Sequence, residues 1–343
     1  MLNAKNGRLF LKTGAMDYIR FGGGKRTLVM IPGVGDGLKT VKGMALPFAF
    51  LYRSLIRDFT VFVMSRRENL PQGMSTREMA EDLNLAMEAL ALCHACVLGV
   101  SQGGMIAQWL ALDHPDKVSR LILAVTLCRP NPVVREAVAG WLQMADRGDY
   151  KGILLDTAER SYTEKRLRRE RFLYRMIGSF GKPQSFDRFR VQAESCVCHD
   201  AWNALPRIAC PALAIGGTDD RIVTGEASRE IAERIPGCAL KLYEGLGHGL
   251  YEEAPDFLEQ VRSFCLAPAG GVVYHPHRDR RERRDTRRLR LGDRPHADPD
   301  LREPVRGGRY RERRDHDPPR DHERSTGSGG AGGRRHGSPD RGV

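Results

Sequence analysis

The sequence predicts an α/β fold: a mostly parallel β-sheet flanked by helices, with an inserted helical cap and a disordered, arginine-rich C-terminal tail. Three observations point there. Short apolar runs of β type alternate with helical runs over residues 8–265. Residues 130–205 interrupt that alternation with helical signal alone. From Ala267 onward the composition changes abruptly.

Arg8–Lys12 and Tyr18–Phe21 read as short N-terminal strands. Thr27–Ile31 is a solid apolar run that ends in the glycine loop Pro32-Gly33-Val34-Gly35-Asp36-Gly37. Met44–Ile56 reads as helical and Thr60–Met64 as a strand. Thr76–Leu92 repeats apolar residues at helical spacing, with Ser75 placed to cap it. Ala95–Val100 is a strand, a helix starts after Ser101, and Ser119–Val125 is the next strand. Further on come the strand Ala212–Gly216, the helix Ala227–Arg234, the strand Ala239–Tyr243 and a last helix Pro255–Cys265. Strands that are apolar on both faces belong to a parallel sheet covered by helices.

These elements divide the chain into a core of residues 1–129 and 206–266, a helical cap of 130–205 and a low-complexity tail of 267–343. The cap holds four helical stretches: Pro132–Met144, Ile153–Tyr162, Glu164–Ile177 and Ser185–Cys196. It lies between two core strands, so it is expected above their carboxyl edge, where it would roof a site. Within it, residues 159–194 hold ten basic side chains, Arg188 and Arg190 among them, against five acids. An anionic substrate is one reading of that bias, a solvated outer face the other. The last 77 residues hold 20 arginines, no lysine and 13 acids. They carry +7 of the chain's formal +12. Such a composition buries too little apolar surface to offset chain entropy. It reads as a solvated appendage, as a weak binder of acidic surfaces, or as GC-rich DNA read through in a shifted frame. Interleaved acids and the lack of an aromatic platform argue against specific nucleic-acid binding.

The 343 residues contain no apolar run of membrane-spanning length, so no membrane partner is expected. The first eight residues lack the apolar core of a signal peptide, which points to a cytoplasmic location. Cysteines 93, 96, 128, 196, 198, 210, 238 and 265 have no zinc-ribbon spacing, so free thiols and no metal are expected.

The chemistry centres on Gly99-Val100-Ser101-Gln102-Gly103. A strand, a sharp turn and a helix put the Ser101 hydroxyl at an apex, and the helix brings free backbone N–H groups to the same spot. A serine hydroxyl is a poor nucleophile until a base takes its proton, and an imidazole base needs a carboxylate to fix its tautomer. The first 266 residues contain four histidines. His94 precedes the Ser101 strand, His114 ends the following helix, and His199 is in the cap. Only His248 follows a strand at its carboxyl end, between Gly247 and Gly249. The strand at 212–216 runs into Asp219 and Asp220, two candidate acids. The strand ending at Val125 offers none. The backbone N–H of Gln102, and that of Val34 in the glycine loop, are the expected oxyanion donors. That loop lacks both nucleotide-binding glycine patterns.

Together these residues resemble the α/β-hydrolase superfamily, in particular its cap-bearing serine esterase and C–C hydrolase group, over about residues 8–265. The resemblance rests on Ile31-Pro32-Gly33-Val34-Gly35, the Ser101 pentad, Pro211–Gly216 with Asp220, and Gly247-His248 followed by Glu253 and Pro255. It implies Ser101 as nucleophile, His248 as base and Asp220, rather than Asp219, as the acid. It implies a small-molecule acyl substrate, most simply an ester, and no cofactor. Thioester or C–C cleavage, or a binding protein that keeps the fold without turnover, are the alternatives. Serine at the elbow argues against haloalkane dehalogenation. Two departures stand out: Pro32-Gly33 replaces the family's frequent His-Gly, and Ser65-Arg66-Arg67-Glu68-Asn69 replaces its Asp-x-Arg-Gly-x-Gly-x-Ser loop. The pocket wall next to the latter is expected to be atypical. Oligomeric state is left open.

Overall fold

The computed structural model describes residues 2–177 and 181–268, all within one compact unit. The arginine-rich tail from residue 269 onward lies outside the described residues. Eight strands form one sheet: β1 (Lys5–Leu11), β2 (Gly14–Gly22), β3 (Arg26–Ile31), β4 (Phe59–Arg67), β5 (Ala95–Val100), β6 (Val118–Ala124), β7 (Ala212–Gly217) and β8 (Ala239–Tyr243). Their order is β1-β2-β4-β3-β5-β6-β7-β8. The first hairpin and its seam to β4 are antiparallel, and every later seam is parallel.

The helices are α1 (Ala45–Leu51), α2 (Thr76–Ala89), α3 (Gln102–Asp113), α4 (Pro132–Asp146), α5 (Tyr150–Ser161), α6 (Glu164–Ile177), α7 (Asp187–Cys198), α8 (Gly225–Arg234), α9 (Leu250–Glu253) and α10 (Phe257–Leu266). Alternation along the strands sorts the core into two layers. Val29, Ile31, Val97, Leu121, Leu123 and Ala214 pack toward α2, α3 and α8. Leu28, Met30, Leu98, Ile122, Leu213 and Ile215 pack toward α1 and α10. The stretch between β6 and β7 holds α4 to α7, with a third cluster around Trp141, Ile153 and Phe189 that reaches Met105 and Ile222 of the sheet layer. Local caps agree with the sequence. Ser75 and Glu78 form a reciprocal capping box on α2, and the Asn131 side chain accepts from Val134 N–H at 2.9 Å. All eight cysteines are free thiols.

Two differences from the sequence reading stand out. Helix α1 stops at Leu51, where the chain turns before β4 instead of continuing to Ile56. Strand β4 runs on to Arg67, through residues that read as loop. Ser65, Arg66 and Arg67 are all buried there, and each has a partner distant in sequence. Ser65 Oγ accepts from Val41 N–H at 3.0 Å, and Arg67 lies 3.2 Å from Asp82. Polar residues hold a buried strand only when such partners exist.

Candidate active site

Ser101 sits between β5 and α3 with φ 56° and ψ −122°, a region that non-glycine residues rarely occupy. The turn is held from both sides. Ser101 N–H donates to the Ala124 carbonyl at 2.9 Å, and the Ser101 carbonyl accepts from Thr126 Oγ1 at 2.7 Å. The glycines are there for close approach. A Cβ on Gly103 would sit 2.0 Å from the Ile31 carbonyl oxygen, and one on Gly99 2.4 Å from the Gly103 carbonyl oxygen.

His248 follows β8 and is 7% exposed. Its Nδ1 lies 2.8 Å from Asp220 Oδ2. The other Asp220 oxygen accepts from Ile222 N–H at 2.8 Å and Val223 N–H at 2.9 Å. Burial pushes the Asp220 carboxyl up, but the facing imidazole and these donors outweigh it and hold it below the usual carboxylate range. An ionised carboxylate only accepts, so the ring proton it faces is on Nδ1, and the neutral tautomer this selects is the one with its lone pair on Nε2. Asp219 is exposed, and its carboxylate takes the Thr218 hydroxyl at 2.9 Å. The structure thus joins Asp220, not Asp219, to the imidazole. The glycines beside His248 serve packing rather than flexibility. Gly249 N–H donates to the Ser161 carbonyl at 2.8 Å, and a Cβ on Gly249 would fall 2.2 Å from the Tyr162 ring.

Ser101 and His248 line one cavity of 430 Å3. Among the described residues Ser101 Oγ makes no hydrogen bond, a common state of a nucleophile before substrate arrives. Val34 also lines the cavity and opens a 3-10 turn, Val34–Gly37, while Gln102 opens α3. The first N–H groups of a helical turn have no acceptor within it. Gly33 is tight against the serine: a Cβ there would lie 3.2 Å from Ser101 Cβ. The remaining walls are largely apolar, with Val41, Met44 and Phe48 on one side and Trp141 and Leu154 on the other.

The other three histidines lie elsewhere. His94 is exposed at the amino end of β5, away from the Ser101 turn, and His114 pairs with Glu81. His199 is 2% exposed. Its Nε2 faces Gln108 Oε1 at 3.3 Å and its Nδ1 faces the Thr76 hydroxyl at 2.8 Å. Gln108 donates its amide to the Leu127 carbonyl, which leaves Oε1 to accept from the imidazole. The Nε2–H tautomer is therefore fixed, and burial pulls the ring down to about 3.

None of the described basic side chains between β6 and β7 is among the residues that line the cavity. Arg188 donates to the Asp36 carbonyl and carboxylate and to the Arg66 and Arg67 carbonyls. Arg190 pairs with Asp146 and Asp187, Arg160 with Asp156 and Glu136, and Arg166 with Glu170 and Glu252. What sequence reasoning missed is a buried polar cluster behind the glycine loop, made of Asp36, Arg66, Gln102, Arg188, Gln192 and Ser195. The atypical Ser65–Asn69 segment was its one visible signal.

With this geometry in hand, comparison with known proteins is direct. The model of the alpha/beta hydrolase fold family matches residues 27–255. The chain belongs to that family. A protein of Caulobacter sp. (strain K31) named carbamate hydrolase RutD is 27% identical over 259 residues, covering 71% of this chain and 92% of that one. A protein of Mycobacterium tuberculosis (strain ATCC 25618 / H37Rv) named non-heme bromoperoxidase BpoC is 28% identical over 197 residues, 54% of this chain and 72% of that one. Among solved structures, the enol-lactonase of Burkholderia xenovorans LB400 superposes with a TM-score of 0.64 at 22% identity, covering 75% of this chain and 99% of that one. An alpha/beta hydrolase from a Medee basin deep-sea metagenome library, MGS-M2, gives 0.68 at 17%, with 78% and 99% covered. Hydrolase chemistry is common to most of these names, and the substrates differ. Among the described residues no helix is long and apolar enough to cross a membrane.

Proposed function

We propose that the chain is a serine hydrolase that cleaves a small ester, or a related acyl compound, through an acyl-enzyme. Ser101 Oγ attacks the carbonyl carbon while His248 Nε2 takes its proton. Asp220 holds the imidazole in the required tautomer and stabilises the cation that forms. The negative charge gathering on the carbonyl oxygen falls to the N–H groups of Gln102 and Val34. The C–O bond then breaks, the leaving group departs with the proton from Nε2, and water repeats the sequence to release the acid. Helices α4 and α5 act as the cap over this step, excluding bulk water with an apolar wall. One observation carries the reading: His248 is hydrogen-bonded to a buried carboxylate and opens into the same cavity as a serine held in a strained turn. The mostly apolar lining favours a small neutral substrate. The carbamate and the enol-lactone named for two of the relatives share with esters an acyl carbon that this arrangement would attack.

A fluorophosphonate probe tests the reading. The wild-type protein should label at Ser101 and hydrolyse p-nitrophenyl acetate. Ser101→Ala should not label and should lose about a million-fold in kcat. An unlabelled, inactive wild type would leave a binding protein on this fold as the better account.

A further inference from the structure

We propose that Arg66 is a positioning residue that aims both oxyanion donors from behind. It rests on the reading of Ser101 as nucleophile. Arg66 Nη2 has two N–H groups for three acceptors, the Pro32 carbonyl at 2.5 Å, the Gly33 carbonyl at 3.0 Å and Gln102 Oε1 at 2.6 Å, so one N–H is shared. The Gly33 carbonyl and the Val34 N–H belong to one planar peptide, so fixing the oxygen fixes the direction of the N–H. Gln102 supplies the other donor from its own backbone. Its side chain is fully buried and held at both ends, with Oε1 on Arg66 and Nε2 on the Gln192 carbonyl at 2.7 Å and Ser195 Oγ at 2.9 Å. A single guanidinium therefore links the two segments that must stay in register for the hole to work.

The far end of the 3-10 turn is pinned as well. Asp36 Oδ2 accepts from Arg66 N–H at 3.1 Å and from Arg188 Nη2 at 2.9 Å. The extension of β4 to Arg67 is what delivers Arg66 there, since β4 runs parallel to β3, the strand that leads into Pro32 and Gly33. Arg66 is not among the residues lining the cavity, so it would act through the loop and not on the substrate.

The arrangement is a poor way to gain stability. Arg66 is 4% exposed, and its Nε and Nη1 have no partner among the described residues. Burying a cation so incompletely satisfied costs desolvation that its hydrogen bonds only partly offset. Its place at the back of a candidate oxyanion site fits a role in geometry.

The test uses the full chain, p-nitrophenyl acetate and an alkyl trifluoromethyl ketone, whose serine adduct places an oxyanion in the hole. Arg66→Met should label with fluorophosphonate more slowly and lose about 10- to 100-fold in kcat, with KM changed less than about threefold. Ketone affinity should fall by the same factor as kcat/KM. Arg66→Lys, which keeps one donor group, should lie between. Arg67→Met removes a neighbouring buried cation that pairs with Asp82 away from the loop, and should lower Tm while leaving kcat and ketone affinity alone. If Arg66→Met does not fold, Gln102→Met, which deletes the side-chain half of the link, should show the same parallel loss. Wild-type kcat in the folded variant, a rate loss without a parallel loss of ketone affinity, or an equal loss in Arg67→Met overturns the proposal. A wild-type protein that neither labels nor turns over overturns both this and the reading beneath it.

Discussion

The cavity has two walls built on opposite principles. Behind the sheet side, buried polar groups hold the wall in place through specific hydrogen bonds: Asp220 at His248, Thr126 at the Ser101 carbonyl, Arg66 at the glycine loop. On the side of α4 and α5 the inward face is Trp141, Leu154 and Ala158, and the charges sit elsewhere in pairs with one another. Charge counted along the cap therefore says little about the substrate. Among the described side chains of residues 159–194, Arg160, Arg166, Arg168, Arg169, Arg188 and Arg190 are held in ion pairs or in contacts with the core. Where a charge is buried and what it touches decides its weight, and substitutions on the two sides should separate accordingly.

The sharpest contrast lies within one dipeptide. Asp220→Asn keeps the shape of the pair but offers an amide where His248 needs an acceptor, so kcat should fall about ten-thousandfold. Asp219→Asn, on an exposed carboxylate bonded to Thr218, should stay within about threefold. Steady-state kinetics of the two variants, with Tm checked for each, measures the difference. Comparable losses in both would mean that the sheet-side wall does not depend on this buried hydrogen bond.

On the cap side the largest effect belongs to Arg188. Among the described residues its guanidinium makes the one ion pair of the Asp36 carboxylate, whose side chain is 1% exposed. Arg188→Met leaves that carboxylate with the Arg66 N–H and a long contact from Gln192. A loss of about 3 kcal/mol is expected from stranding a buried charge. Urea unfolding should show it as a lowered midpoint with an unchanged slope.

These contrasts also mark how much was legible in the sequence. The strand, turn and helix around Ser101 follow from an apolar run, two glycines and a helical run in sequence, because every contact that makes the elbow is local or one strand away. Cap helix α6 and strand β8 have the bounds that hydrophobic spacing gives, 164–177 and 239–243. The choice between Asp219 and Asp220 is not written locally, since both follow the same strand and only burial separates them. Strand residues 65–67 were illegible for a different reason. Charged side chains read as loop unless their partners are known, and those partners, Asp36, Asp82 and Gln102, come from three other elements. Arg188 was visible as a charge, but its destination 152 residues away was not.

A smaller effect depends on pH. His199 is neutral in the folded protein down to about 3, whereas an exposed histidine takes its proton near 6.5. Below 6.5 the unfolded chain binds a proton that the native state refuses, so stability falls as the pH drops from 6.5 toward 3. The slope from this one group is about 1.4 kcal/mol per pH unit. His199→Gln, which cannot titrate, should flatten the acid limb of a stability–pH curve by that amount. An unchanged slope would place the acid sensitivity in another group.

Arg190 supplies the smallest effect and the closest control on Arg188, two positions along the same helix. It pairs with Asp146 and Asp187, whose side chains are 66% and 82% exposed. Water screens both pairs, and holding the long side chain in place offsets most of the attraction. Arg190→Met should change stability by less than about 0.5 kcal/mol and leave unchanged the preference between anionic and neutral esters. The same two measurements on Arg188→Met should give a large stability loss. If Arg190→Met instead shifts the ester preference, the outward pairing of the cap cations would not hold in solution, and the charge census would regain its bearing on substrate.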